Sequence, residues 1–214
     1  MGVTNGSYNA NYTYLANSPL VGQILFKTNT TTRMTRTNQY DYLNRLQFVK
    51  NTPSGTGQAA LNSTYSYNDA NQRKRLDLAD GSFWIYEYDP LGQVRSGKRY
   101  WGDGTIVAGQ QFEYAFDDIG NRKSTKAGGD EAGGNLRSAS YTVNDLNQYT
   151  QRTNAGYLDI QGLALATNAV TVNGSTAYRK GEYFRKELSV SNTSTSVWQS
   201  VTNAASGETT VTGK

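Results

Sequence analysis

The chain has 214 residues, a net charge of +4, a pI near 9.1, 16 Tyr, 22 Gly, and neither Cys nor His. These values exclude a disulfide-stapled scaffold, Ser-His-Asp and Cys-His nucleophilic sites, and the usual zinc sites. A mean hydropathy of −0.68 is low for a compact globule, yet 12% aromatic residues is not the aromatic-poor composition of disorder; it fits a two-faced sheet in which Tyr covers area and keeps its hydroxyl near water.

Residues 1–39 read as a degenerate first repeat with an insertion. Tyr12-Thr13-Tyr14 places two aromatics on one face of an extended chain, Asn17-Ser18-Pro19 follows, and Gln23 to Lys27 and Thr30 to Thr37 read as strands. From Tyr40 to Arg152 one pattern recurs. Its clearest copy is Tyr86-Glu87-Tyr88-Asp89-Pro90-Leu91-Gly92-Gln93-Val94, a strand, a tight turn and the start of a second strand. The others are Tyr40-Asp41-Tyr42-Leu43-Asn44, Tyr65-Ser66-Tyr67-Asn68-Asp69-Ala70-Asn71, Tyr114-Ala115-Phe116-Asp117-Asp118-Ile119-Gly120 and Tyr141-Thr142-Val143-Asn144-Asp145-Leu146-Asn147. The anchors Tyr40, Tyr67, Tyr88, Phe116 and Val143 are spaced 27, 21, 28 and 27 residues apart, which is the period of a repeat architecture. After each anchor stands Asp or Asn, which starts a turn, and three residues later Gly or Asn, which tolerates positive φ. The residue before that is always apolar (Leu43, Ala70, Leu91, Ile119, Leu146), so the turn tip is expected to pack on the neighbouring repeat. Asp80-Gly81 and Asp103-Gly104 mark turns at the far ends, while the Gly/Ser-rich inserts Thr52 to Gly57 and Gly128 to Asn135 read as flexible loops at one rim.

Beyond Arg152 the repeat stops. Ala169 to Val172, Asn173-Gly174 and Ser175 to Tyr178 form a hairpin with a type I′ signature, and Glu182 to Val190 and Ser196 to Val201 read as strands. The Thr/Gly/Ser-rich end, 203–214, is expected to fray. The division is therefore 1–39, a degenerate repeat; 40–152, five hairpin repeats; and 153–214, a β-rich extension expected to continue the sheet.

Tyr-x-Tyr-Asp-x-x-Gly-Arg-Leu, repeated at this spacing over roughly Tyr12 to Arg152, resembles the YD repeats of the Rhs proteins, also found in insecticidal toxin complexes and teneurins. The resemblance implies successive antiparallel hairpins side by side in one long curved sheet, part of an all-β shell. It also implies a C-terminal, toxin-like cargo, bacterial origin, and a place outside the cell or on its surface. Rhs cores end in an Asp-Pro-x-Gly-Leu signature linked to self-cleavage; here Gln93 replaces the Leu after Asp89-Pro90-Leu91-Gly92 and two more repeats follow, so cleavage is not carried over to Asp89.

No catalytic or cofactor site emerges. Gly92-Gln93-Val94-Arg95-Ser96-Gly97-Lys98-Arg99 matches most of a P-loop, but Arg99 stands where a Mg²⁺-binding Ser/Thr belongs, and no strand-to-helix context surrounds it. Asp117-Asp118 and Asp130-Glu131 are adjacent acids whose side chains diverge in extended chain. The basic residues are scattered, with no clustered face for nucleic acid. No stretch reaches the roughly 18 apolar residues of a membrane span. No signal peptide is visible, and Met1 reads as the start of a fragment.

The expected function is a non-enzymatic shell segment without cofactor or metal, its partners being neighbouring repeats and an enclosed cargo. Its structural residues are the turn positions Asp41, Asn44, Asn68, Asn71, Asp89, Gly92, Asp117, Gly120, Asn144 and Asn147. The aromatics Tyr40, Tyr65, Tyr67, Tyr86, Tyr88, Tyr114, Phe116 and Tyr141 are expected to stack as cross-strand ladders. The alternative is an extracellular adhesion module that recognises glycan or protein through an aromatic sheet face.

Overall fold

The computed structural model describes residues 2–154, 156–192, 195–207 and 211–213. All regular structure among them is β. The chain begins with β1 (Gly2–Asn5), β2 (Tyr8–Tyr14), β3 (Val21–Thr28), β4 (Thr31–Tyr40), β5 (Leu46–Pro53), β6 (Leu61–Tyr67), β7 (Arg73–Leu78) and β8 (Phe83–Tyr88). It continues with β9 (Val94–Tyr100), β10 (Ile106–Phe116), β11 (Arg122–Gly128), β12 (Leu136–Val143) and β13 (Tyr149–Arg152). These thirteen strands form one antiparallel sheet in chain order, each beside its sequence neighbours, with β1 and β13 as open edges. Two contact-defined units divide the chain: Met1–Glu87 with Arg99–Gly104, and Tyr88–Lys98 with Thr105–Lys214.

The first unit is a single layer. Every residue of β3 and most of β4 are half-buried, and Val49 is its buried hydrophobic residue among the described residues. A lone sheet has no second layer to cover it, so stability comes from cross-strand pairs and backbone bonds rather than from a core. The hairpins that turn after Tyr14, Tyr40 and Tyr67 carry the same irregularity. Gln39 pairs with Phe48 and Tyr40 with Leu46, leaving Gln47 as an extra residue. Ser66 pairs with Arg75 and Tyr67 with Arg73, leaving Lys74 over. Thr13 pairs with Gln23 and Tyr14 with Val21, leaving Gly22 over. A bulge at the same place in successive copies bends the strand and increases local twist.

In the second unit the bulge recurs opposite Phe116, where Lys123 is extra, and opposite Val143, where Thr150 is extra. Past Arg152 come β14 (Tyr157–Leu163), β15 (Val170–Val172), β16 (Ser175–Thr176), β17 (Tyr178–Lys180), β18 (Tyr183–Ser189), β19 (Val201–Ala205) and β20 (Val211–Gly213). They do not continue the large sheet, contrary to the expectation from sequence. They form a separate three-stranded sheet, β14-β18-β17, and a four-stranded one, β16-β15-β19-β20. The reason is partner choice: β14 pairs along its whole length with β18, from Tyr157↔Ser189 to Leu163↔Tyr183. Val170, Val172, Ala177 and Phe184 make a buried cluster between the small sheets, flanked by Ile160, Leu188 and Val201.

The strand expected at Ser196 to Val201 lies later, at β19, and Trp198 is 79% exposed. Of the tail expected to fray, residues 208–210 and 214 lie outside the described residues, and β20 pairs with β19. The insert Gly128 to Asn135 is a hydrogen-bonded turn rather than a loose loop: Asp130 Oδ1 accepts the N–H groups of Ala132 and Gly134 at 3.0 and 2.8 Å. Large and small sheets meet within this unit at Gly109, whose φ of +83° in mid-strand suits only glycine; Gln161 Nε2 donates to its carbonyl at 3.2 Å. Nearby the Tyr183 hydroxyl donates to the Ala108 carbonyl at 2.6 Å.

Candidate functional site

The repeated turns share one geometry. In each, the N–H of the fourth residue donates to the carbonyl of the first, and the N–H of the first donates to the carbonyl of the fifth. For Asp41 these bonds are Asn44 N–H to Asp41 O at 2.9 Å and Asp41 N–H to Arg45 O at 2.9 Å; Asn68, Asp89, Asp117 and Asn144 repeat them at 2.9–3.1 Å. The fourth residues have positive φ: Asn44 62°, Asn71 62°, Gly92 83°, Gly120 93° and Asn147 59°. The first residue's Oδ1 also accepts the N–H of the fifth in every copy, at 2.7–2.9 Å. One Asx side chain thereby satisfies a backbone donor that the tight loop leaves without a strand partner.

Sequence reading missed the fifth position. Its side chain matches the first: Asp41 with Arg45 at 2.6 Å and Asp117 with Asn121 at 2.9 Å, but Asn68 with Gln72 at 2.7 Å and Asn144 with Gln148 at 3.1 Å. It also reaches forward to the positive-φ residue of the next turn. Arg45 Nη1 donates to Asn71 Oδ1 at 2.7 Å, and Asn121 Nδ2 donates to Asn147 Oδ1 at 3.2 Å. Where that next residue is Gly120, the Gln93 amide lies over it, 3.3 Å from where a Cβ would stand. Aligning the turns against one another would have exposed this pairing.

The apolar turn tips do not pack on neighbours. Leu43, Leu91, Ile119 and Leu146 are 65–75% exposed, and Ala70 is exposed as well. The turn projects its third residue past the strand ends, and the adjacent turn is met through the fifth position instead.

Several of the aromatics are tied to backbone or covered by arginine. The Tyr40 hydroxyl donates to the Val21 carbonyl at 3.1 Å and the Tyr67 hydroxyl to the Leu46 carbonyl at 2.7 Å. Arg45 lies over Tyr67 at 4.7 Å, Arg73 over Tyr65 at 4.2 Å, and Arg122 over Tyr114 at 5.5 Å. Tyr141 lies between Arg122 and Arg152, and meets Tyr149 edge-on at 5.6 Å. Tyr86 stacks on Trp84 of its own strand at 6.3 Å. Tyr88 ends β8 half-buried, and Phe116 ends β10 opposite Arg122. Cation–π contacts of this kind add to the ring contacts.

Charge follows from these bonds. The side-chain amide of Asn121, opposed by some burial and helped by backbone N–H groups, holds the Asp117 carboxyl below its ordinary value. Burial pushes Asp41 up, but the Arg45 and Leu43 bonds outweigh it and the net shift is downward. No cluster of three or more metal-type ligands occurs among the described residues, and no helix there is long and apolar enough to cross a membrane.

No protein-family model and no curated protein sequence matches the chain. Solved structures do. A crystal structure of TcdB2-TccC3-Cdc42 matches at TM-score 0.57 and 13% identity, covering 96% of this chain and 10% of that one. TcdB2-TccC3 without its hypervariable C-terminal region matches at TM-score 0.54 and 13% identity, covering 96% and 9%. A Tc holotoxin pore from Photorhabdus luminescens matches at TM-score 0.52 and 14% identity, again covering 96% and 9%. The chain shares their fold over nearly all its length and spans about a tenth of theirs.

Proposed function

We propose that this chain is a non-enzymatic wall segment of a secreted or surface-exposed Rhs/YD-repeat protein, in which hairpins laid edge to edge enclose or present a C-terminal cargo. The observation that carries the reading is the thirteen-stranded sheet in strict chain order with two open edges. Such a sheet grows by adding hairpins at an edge and needs no closed core of its own. The likeness to a tenth of much larger toxin-complex chains supports the same reading. The five repeats, 40–152, supply the wall, and turn and Tyr residues hold one hairpin to the next. Adhesion through an aromatic sheet face has less support, because arginines cover the rings of Tyr65, Tyr67, Tyr114 and Tyr141.

The test is to read the gene on both sides of these 214 codons, express the whole reading frame, and image it by electron microscopy during protease treatment. A hollow particle whose C-terminal segment resists protease supports the proposal. A solid or extended particle with that segment cut at the rate of the free peptide overturns it.

A further inference from the structure

We infer that the recess where β11–β13 meet the start of β14 is a binding site for a carboxylate ligand of small-organic-acid size. The recess is about 390 Å³, within the range of small-molecule pockets. Its floor is small: Ala127 and Ala139 come from adjacent strands, where Ala127 pairs with Arg137 and Thr125 with Ala139. Arg137 and Arg152 line it, and no lining residue is acidic.

The two guanidinium groups differ in their commitments. Arg137 gives Nε and Nη2 to a single oxygen of Glu187, the Nε bond being 2.7 Å. Arg152 rests on the Tyr141 ring at 5.5 Å and pairs with no carboxylate among the described residues. The recess therefore holds one positive charge in excess. Asn154 uses its Oδ1 to accept the Gly156 N–H at 2.8 Å, which leaves its NH₂ as a donor, and Tyr157 adds a phenol at the wall. A planar cationic fork, an amide NH₂ and hydroxyls that can donate, with no acidic side chain in the lining, fit a planar anion with two acceptor oxygens. The nearest acids, Asp159 and Glu187, are held by Arg185 and Arg137.

The carboxylate can come from a free acid or from an acidic peptide side chain. The experiment titrates the 214-residue chain, in 150 mM NaCl to screen its general positive charge, with succinate, with an N-acetylated and C-amidated triglutamate peptide, and with sulfate. Calorimetry and amide chemical shifts of β11–β13 are the readouts. We expect saturable binding of succinate or of the peptide, whichever is tighter naming the source, with shifts confined to the recess. Arg152→Gln should weaken it at least tenfold, Arg152→Lys less, and Arg95→Gln, an exposed control on β9, not at all. Unchanged melting of Arg152→Gln shows that the loss is local; if that variant melts early, Arg152→Lys against Arg95→Gln decides alone. Sulfate binding as tightly as the carboxylates, equal effects of Arg152→Lys and Arg95→Gln, or no saturation would overturn the assignment.

Discussion

The Tyr67 hydroxyl donates to the carbonyl of Leu46, the residue paired with Tyr40 one repeat earlier. Tyr40 does the same to Val21, the residue paired with Tyr14. Tyr40 and Tyr67 thus tie their hairpins to the bulge side of the one before. Where the anchor is Val143, which has no hydroxyl, its pairing partner Tyr149 supplies one: Tyr149 Oη accepts the N–H of Arg122, the residue opposite Phe116, at 2.7 Å. The tie persists although its donor and acceptor have changed sides.

Tyr67→Phe removes this tie and leaves the Leu46 carbonyl short of a partner. The expected cost is about 1 kcal/mol, read as a lower urea midpoint. Tyr42→Phe alters a fully exposed ring in the first turn and is the reference. Equal midpoints for the two variants would show that the hydroxyl contributes nothing.

Gly120 has no side chain to accept a turn-to-turn bridge. Gln93 Oε1 is buried there without a partner among the described residues, and its amide faces the glycine. Asn occupies the equivalent position in three turns at φ near 60°, so Gly120→Asn is expected to be tolerated within about 0.5 kcal/mol, with its amide meeting that of Gln93. Gly120→Val adds a β-branched side chain at φ +93° and should cost at least 1 kcal/mol, in the range of strained backbone. Equal losses from Asn and Val would mean that the Gln93 contact is irrelevant and that only φ matters.

What was legible in the sequence is what acts over five residues. Asp or Asn followed three places later by Gly or Asn dictates the backbone locally, so the hairpins and their order could be read without tertiary knowledge. Asp130-Glu131-Ala132-Gly133 carries the same pattern, with Gly133 at φ 81°, but was hidden by the glycines around it and by the lack of a preceding Tyr-x-Tyr. The small C-terminal sheets were illegible for a different reason. Whether β14 adds to β13 or pairs with β18 depends on residues 20–32 positions away, and alternation along Tyr157 to Leu163 is compatible with either. The exposed turn tips were misread because an apolar side chain says that burial is favourable, not that a neighbour is within reach.

Acid should separate the Asp turns from the Asn turns. The Asp117 carboxyl is lowered in the folded chain from its ordinary 3.8. The unfolded chain therefore takes up the proton first as pH falls. The contribution is complete above the ordinary value and is lost as pH drops through the lowered one. Asp117→Asn keeps an oxygen acceptor and cannot titrate. Its melting temperature should fall less steeply than the parent's between pH 5 and pH 2, measured at constant ionic strength. Asn144→Asp should do the reverse and steepen the acid limb. Parallel curves for all three proteins would remove the turn carboxyl from the acid response.

Arg185 holds the small sheets' charged cluster together. Its Nε donates to Asp159 at 2.7 Å and its Nη2 to Glu187 at 3.0 Å, and the three side chains are only 10–17% exposed. Burial opposes its charge, but the two carboxylates outweigh that and hold its pKa above the usual value. Arg185→Met keeps the packing volume and leaves Asp159 buried without its cation, a loss of about 3 kcal/mol. Arg137→Met removes a half-exposed guanidinium, and Glu187 keeps Arg185, so about 1 kcal/mol or less is expected, as for pairs nearer solvent. Hydrogen exchange of the β14 and β18 amides reads this locally: Arg185→Met should lower their protection about a hundredfold, and Arg137→Met less than tenfold. If Arg137→Met proves the more damaging, the pair that anchors β14 to β18 is not the buried one, and the docking of these strands rests on Tyr183 and Gln161 instead.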